Sequence, residues 1–436
     1  MDRRHLFLLI SLGLGVFLGA LDLGILAPAL PALAATFAIP TNELAWIFTL
    51  YLVCAIAGIA TMSALADRYG RRSIYIACVT IFALGSVIAV VASSFGMFLL
   101  ARGVQAIGAG GIFPVATAAI GDRVPAARRG AALGLVAATW GLAAVVGPLA
   151  GGLITHFVSW RWIFAANFPL AIVVIVLARR HLPATAPHTR GRFDVLGLAL
   201  LLAALWGLSV GLTQNIVACV AGGVLAALLF AAWQTRAAAP LVPLALFSTR
   251  NLAVTYGLEL VIGALEGSLF FIPTVLVAAQ RMNYAAAGSI AALGALVFVI
   301  VIPYAGRALD RFGARSVLLA GTAFTTVGLA VFAFGFGSLG LSILAMIVAG
   351  VGFGALLGAP TRYLITNEAP AGKRATALGL LSQFLIFGQI VGASLAGGFV
   401  KLAGAPLRGF ADAYAAFAVL GIVAGLLTLA LKSRSG

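Results

Sequence analysis

The sequence predicts an all-α polytopic membrane protein: two like halves of six spans each, with two further spans inserted between them. Three observations carry this. Hydrophobic residues make up 63% of the chain and charged ones 9%, against roughly half and a quarter in soluble domains; no soluble core needs that much apolar surface. Fourteen segments reach the ~20 apolar residues that a helical span requires. Finally, Leu65-Ala66-Asp67-Arg68-Tyr69-Gly70-Arg71-Arg72-Ser73 recurs, about 243 residues on, as Ala308-Leu309-Asp310-Arg311-Phe312-Gly313-Ala314-Arg315-Ser316. A second pair follows at nearly the same offset: Val124-Pro125 with Arg128-Arg129 and Leu133-Gly134, against Ala369-Pro370 with Lys373-Arg374 and Leu378-Gly379. Two like halves in lipid imply a carrier that rocks one against the other.

The first apolar run continues to Pro28 with no Ala-x-Ala site, so it is expected to be a retained span and not a signal peptide. The first six spans are predicted at 6–27, 43–66, 74–92, 95–120, 130–154 and 160–178. A linker with Arg179, Arg180, Arg190 and Arg192 and the prolines Pro183 and Pro187 is expected as a cytoplasmic hinge. Two spans at 195–212 and 217–233 follow, joined by four residues, Thr213-Gln214-Asn215-Ile216, and then a polar stretch from Gln234 to Arg250. The last six spans are predicted at 252–278, 285–309, 317–336, 341–365, 375–400 and 411–431. The domains are therefore 1–178, 179–250 and 251–436.

The net charge is +16, but the basic residues stand singly or in twos and threes between apolar runs. That pattern is the positive-inside rule and not a nucleic-acid surface. Loops on the N-terminal side hold 22 of the 27 Lys and Arg; Arg161, Arg281, Lys401 and Arg408 lie on the other side, and Arg102 is inside a span. Both termini are expected to be cytoplasmic. Twenty-four Arg against three Lys, with abundant Ala and Gly, fit a GC-rich bacterial genome, and hence an inner membrane. Cys54, Cys78 and Cys219 show no C-x-x-C spacing, and His5, His156, His181 and His188 no ligand spacing, so no metal is expected. No D-D-x-x-D cluster or Ser/His pair suggests a membrane enzyme, and no soluble domain suggests a sensor or scaffold.

In the repeated loop Gly70 permits a tight turn. Topogenesis would need only the basic residues, whereas an Asp stands in both copies (Asp67 and Asp310). Gly141, Gly147, Gly151 and Gly152 recur near one helical face, where small residues allow close packing. Pro148 interrupts the backbone ladder and permits a kink; the second half has Gly392-Ala393 in its place.

These residues resemble the major facilitator superfamily. Ser63 to Arg72 looks like its loop G-x-L-A-D-R-x-G-R-R, with Ser63 replacing glycine. Arg102-Gly103-Val104-Gln105-Ala106-Ile107-Gly108 looks like the fourth-helix motif R-x-x-Q-G-x-G, with Ala106 replacing glycine. Gly141 through Gly147-Pro148 to Gly151-Gly152 resembles the fifth-helix motif of proton-driven exporters. Trp160-Arg161-Trp162-Ile163-Phe164 with Asn167 and Pro169 is similar to the sixth-helix entry of drug:proton antiporters, and Leu21-Asp22 with Ala29-Leu30-Pro31 to the first-helix motif of the fourteen-helix branch. The resemblance covers essentially the whole chain. It implies the major facilitator fold, with export driven by a proton gradient and no cofactor. It also implies a gating latch of Asp67, Arg68, Gly70, Arg71 and Arg72, mirrored by Asp310, Arg311, Gly313 and Arg315. In that latch Asp67 lies near the eleventh helix's N-terminus, and a motif arginine lies near Asp122.

A charge at membrane depth is costly and seldom idle. Asp22, Arg102, Glu259 and Glu266 are the candidates inside spans and are assigned to proton coupling. Asp22 is either a proton or cation site or a structural partner; at about 24 Å along the first helix it is expected in the outer half, facing an outward vestibule. Arg102 and Gln105 share a helix face, as do Glu259 and Glu266. Glu259 and Glu266, with Trp46, Tyr51, Phe113, Trp140, Phe270, Phe384 and Phe387, are the candidate substrate contacts, although aromatics on spans commonly pack or face lipid. The expected function is antiport of a small lipophilic, cationic compound against protons by a monomer, the alternative being export of a lipid or metabolite.

Overall fold

The computed structural model describes residues 3–123, 126–183, 193–369 and 373–431, and among them the secondary structure is helical without a strand. Val124-Pro125, Pro187, His188, Arg190, Arg192 and Pro370 lie outside the described residues, as do the side chains of His5, Arg128 and Arg129.

The first half comprises α1 (Arg3–Leu26), α2 (Leu30–Phe37), α3 (Ala45–Tyr69), α4 (Arg71–Val90), α5 (Phe95–Arg123), α6 (Ala126–Phe157), α7 (Arg161–Ala165) and α8 (Asn167–His181). The insert is α9 (Val195–Gln214) and α10 (Val217–Gln234). The second half comprises α11 (Arg250–Ser268), α12 (Ile272–Gln280), α13 (Tyr284–Gly335), α14 (Leu339–Leu356), α15 (Pro360–Glu368), α16 (Arg374–Ala403) and α17 (Pro406–Leu429).

Thirteen helical stretches among the described residues are long and apolar enough to cross a membrane. Two predicted spans, 285–309 and 317–336, are one 52-residue element, α13. No separate loop divides them, because Gly313 makes the turn alone, at φ 77°. Gly70, at φ 91°, does the same between α3 and α4. Only glycine adopts such angles without steric cost.

The first span runs past its predicted end at 27. A 3-10 turn over Ala27–Ala29 joins α1 to α2, which ends in left-handed Ala38. Pro31 lies in the first turn of α2, where a missing N–H costs nothing, so the helix resumes. The same succession occurs at α11, Leu269–Phe271, α12 with Pro273, and left-handed Arg281.

Helix α6 continues through Pro148. On one side its glycines admit α1: a Cβ on Gly151 would collide with the Ile25 carbonyl. On the other side Gly152 and Pro148 meet Tyr284 and Gly288 of α13. Phe48 of α3 stacks on Phe270 at 4.3 Å, and Gly397 of α16 lies against Ala45. All these contacts between halves gather at the end of the bundle remote from the chain termini.

The insert is only partly peripheral. Helix α10 is largely exposed, but α9 packs on both α3 and α16. Trp206 meets Trp46 at 5.4 Å, and Asn215 Nδ2 donates to the Gly398 carbonyl at 3.1 Å. At the opposite end Asp194 accepts from Gly197 N (2.8 Å), Trp233 Nε1 (2.7 Å) and Gln234 Nε2 (2.8 Å). Burial alone would raise the Asp194 carboxyl, but these donors outweigh it and hold the group below the usual carboxylate range.

Candidate functional site

The deepest polar cluster lies within the first half, where α1, α3, α4, α5 and α8 meet. Asp22 is 1% and Arg102 0% exposed, and Arg102 Nη1 meets Asp22 Oδ2 at 2.5 Å. The same nitrogen donates to Gln105 Oε1 at 2.8 Å. One helical turn separates Arg102 from Gln105, which brings the two groups together. Gln105 Nε2 donates to Ser86 Oγ at 2.8 Å and to Asp22 Oδ1 at 3.3 Å, and Asn167 Nδ2 reaches Ser86 at 3.3 Å. The guanidinium lies 4.1 Å from the Tyr51 ring centroid. Its Nε and Nη2 have no hydrogen-bond partner, so Arg102 depends on Asp22 and the ring face for compensation.

Placement of Asp22 corrects the expected vestibule position. The first span extends over Phe7–Phe37, 31 residues, because the helix resumes after its 3-10 turn. Asp22 is therefore at mid-span and enclosed. A buried carboxylate and guanidinium each lose hydration and here recover it through each other and through Gln105. Neutralising Asp22 would strand a buried cation, which favours a different packing of the surrounding helices.

The two glutamates of α11 are not part of this cluster. Glu266 Oε2 accepts from Gln389 Nε2 of α16 at 2.9 Å. Glu259 is 6% exposed and its Oε2 has no donor.

The candidate aromatics divide into groups. Tyr51 packs on Arg102, Trp46 on Trp206 and Phe270 on Phe48, so these three are engaged in packing. Phe113 and Trp140 make an edge contact at 6.1 Å while staying 39% and 43% exposed. Phe384 and Phe387 form a second pair at 5.7 Å, backed by Tyr256 and Phe247.

At the terminus-side end, Arg71 pairs with Asp67 (2.6 Å) and with Asp122 (3.3 Å). The implied arginine–Asp122 proximity is thus present. Asp67 pairs along its own chain segment, and the three ion pairs among the described residues all lie in the first half. In the second loop Arg311 stacks on Phe312 and Arg315 Nη2 donates to the Leu429 carbonyl at 3.0 Å. No ion pair involves Asp310 among the described residues. Arg161 caps the end of α4, donating to the Val90 and Ala92 carbonyls at 3.1 and 3.0 Å, a structural task. No metal-binding group of three ligands occurs among the described residues.

Sequence reasoning singled out Asp22, Arg102 and Gln105 but missed Ser86. Its signal was one hydroxyl among several in an apolar span that also carries Tyr75 and Thr80, and many such hydroxyls bond only their own helix, as Thr80 does to Ile76.

Comparison with known proteins agrees with this architecture. Residues 12–265 and 252–435 match the family profile described as Major Facilitator Superfamily. An uncharacterised MFS-type transporter, YfiU of Bacillus subtilis, is 30% identical over 89% of this chain and 78% of its own length. The multidrug resistance protein Stp of Mycobacterium tuberculosis is 29% identical over 91% of this chain and 76% of its own. The riboflavin transporter RibZ of Clostridioides difficile is 26% identical over 85% and 83%. Among solved structures, a D-xylose–proton symporter superposes with a TM-score of 0.74 at 16% identity, covering 98% of this chain and 97% of that one. The helices, their packing and the matches along the whole chain together place it: this multi-pass membrane protein belongs to the major facilitator superfamily of transporters.

Proposed function

We propose that the chain is a proton-coupled exporter of lipophilic, cationic compounds. It works by alternating access in a bacterial inner membrane, with both termini cytoplasmic and the proton gradient as its driving force. The observation that carries this is the enclosed Asp22–Arg102 pair. Removing one partner of a buried pair typically costs about 3–5 kcal/mol, so a proton arriving at Asp22 supplies a free-energy difference between conformations of the size transport needs.

In this reading α13 crosses twice, turning at Gly313, which gives fourteen spans arranged six, two, six, and the halves are repeats. With cytoplasmic termini, the contacts of α3, α6 and α9 with the second half close the outer end, as expected of an inward-facing state. The Asp67–Arg71–Asp122 and Asp310–Arg315 segments then gate the inner end, and Gly141 to Gly152 form the antiporter packing motif, with Gly147 and Gly151 against α1 and Gly141 and Gly152 against α13. Glu266 reads substrate charge at mid-span, with Glu259 as relay and the Phe113–Trp140 and Phe384–Phe387 pairs as apolar contacts. A monomer suffices.

Similarity to a multidrug resistance protein supports the drug-like substrate class; similarity to a riboflavin transporter favours a metabolite as the second reading. The test is uptake into proteoliposomes, with and without an imposed pH gradient, of ethidium, a neutral lipophilic drug, riboflavin and a fluorescent phospholipid. Gradient-dependent ethidium movement is expected. Movement of riboflavin or phospholipid alone would select the second reading, and indifference of every compound to the gradient would remove proton coupling.

A further inference from the structure

Helices α9 and α10 lie between the halves in sequence, but their hydrogen bonds beyond the pair itself go to the second half. At the outer end Lys401 Nζ of α16 donates to Gln214 Oε1 at 2.6 Å and to the Gln214 carbonyl at 3.0 Å, beside the Asn215–Gly398 bond. The backbones approach closely there: a Cβ on Gly398 would collide with the Leu212 carbonyl, and one on Gly397 would lie 3.2 Å from Thr213 Cγ2. At the opposite end Gln234 donates to Asp194 and accepts at Oε1 from Val242 N, at 2.9 Å. Val242 and Leu246 are buried in one cluster with Leu252 and Tyr256 of α11 and Leu380 of α16, and the Phe247 ring lies 4.9 Å from that of Tyr256. The segment after α10 thus folds onto the second half, and the insert is fastened to that half at both ends.

Contact with the first half is of another kind. Among the described residues no hydrogen bond or ion pair joins α9 or α10 to it. What α9 presents to α3 is Trp206, whose ring is 5.4 Å from that of Trp46. Below it Leu201 and Leu205 share an apolar cluster with Leu52 and Ile56 of α3 and Ile390 of α16. Lipid tails are as apolar as leucine, so parting apolar surfaces into lipid costs little. Parting α9 from α16 would instead break directional bonds and undo a close backbone contact.

We propose that α9 and α10 are built into the second half and travel with it, so that the outer closure opens along α3 and α6 while α9 stays on α16. The insert then adds one contact of its own to that closure, Trp206 on Trp46, which makes Trp206 a positioning residue of the outer gate. The proposal rests on the alternating-access reading for there being a movement at all; it needs neither the substrate nor the proton.

The experiment forces the outer end apart and asks which half the insert follows. Gly152→Trp is the wedge, because even a Cβ there would lie 2.6 Å from the Tyr284 carbonyl; Gly288→Trp, facing the Pro148 carbonyl, is the second wedge should the first not fold. Spin labels are placed in pairs at Val91 after α4, Val217 of α10 and Leu339 of α14, all exposed and all at the outer end, in protein whose Cys54 and Cys219 are replaced. With either wedge, the Val91–Leu339 and Val91–Val217 distances should lengthen together while Val217–Leu339 stays as it is. Asn215→Ala combined with Lys401→Ala should broaden Val217–Leu339, since it cuts the outer ties. Without a wedge, Trp206→Ala should raise the ratio of long to short Val91–Leu339 distances by roughly two- to tenfold, the range for one aromatic pair. A Val217–Leu339 distance that lengthens with the wedge, whether or not Val91–Val217 does, would overturn the proposal, and an unchanged ratio in Trp206→Ala would remove Trp206 from the gate. A Val91–Leu339 distance that neither wedge alters would instead remove the alternating-access reading itself, and the proposal with it.

Discussion

Replacing Asp22 with Asn isolates the charge from the shape of the central cluster. The amide keeps an oxygen within reach of Arg102 Nη1 and fills the same volume, so the substitution introduces no cavity or clash beside Ser86, Gln105 and Tyr51. What is lost is the anion, and Arg102 already lacks partners at Nε and Nη2. A charge-assisted hydrogen bond contributes roughly 1.5–3 kcal/mol, and stranding a buried charge raises the cost toward about 3–5 kcal/mol. Arg102→Gln alone strands the carboxylate at similar cost, whereas the double variant leaves two neutral, hydrogen-bonding side chains. Denaturant unfolding of the purified protein in detergent micelles should therefore give two destabilised single variants and a double variant less destabilised than their sum by about 2 kcal/mol or more, the range of coupled neighbours. If the single effects add within about 0.5 kcal/mol, the pair is not the energetic unit described here, and the argument that protonation repacks the helices fails with it.

Three further outcomes follow from other parts of the molecule. Glu266→Gln should weaken binding of cationic compounds by roughly 1–3 kcal/mol and leave neutral ones unchanged in equilibrium binding; equal losses for both would deny Glu266 a role in reading charge. Asp67→Asn should open distances across the terminus-side face more than Asp310→Asn, because Asp67 shares Arg71 with Asp122 while Asp310 has no ion pair among the described residues; equal shifts in spin-label distances would contradict this. Asp194 is held below the unfolded carboxylate range, so its contribution is present above about pH 4 and lost as pH falls through the still lower folded value. Thermal unfolding of Asp194→Asn should accordingly lie below the native protein at neutral pH and converge with it in stronger acid, and a constant gap down to about pH 2 would refute the assignment.

That the chain is a succession of membrane-length helices was legible because lipid imposes a length and composition that soluble folds do not. The turns at Gly70 and Gly313 were legible as repeats, but that Gly313 leaves no loop between its two helices was not, since one positive φ suffices for the turn. The breaks at Ala27–Ala29 and Leu269–Phe271 hid for another reason: each proline falls where a new helix tolerates it, so hydropathy runs on while the helix type changes. This displaced the expected depth of Asp22 from mid-span to the outer half. The acids themselves were visible as charges in apolar runs, but their partners were not. Gln389, the partner of Glu266, comes from a span 123 residues away, and no local pattern announces such a pairing. Helix α9 shows the same limit: the lack of charge in the inserted pair reads as peripheral packing against lipid or a partner, and only the packing shows α9 lying against both halves.

The central claim is that a proton moved through Asp22 pulls a cationic compound the other way. The direct measurement is simultaneous recording of intraliposomal pH and ethidium in proteoliposomes carrying an imposed pH gradient. The account predicts that ethidium moves uphill while the gradient collapses faster than in protein-free liposomes, and that Asp22→Asn, correctly folded and inserted, does neither. Ethidium accumulating against its gradient in Asp22→Asn, or moving in the native protein with no accompanying proton flux, would contradict it.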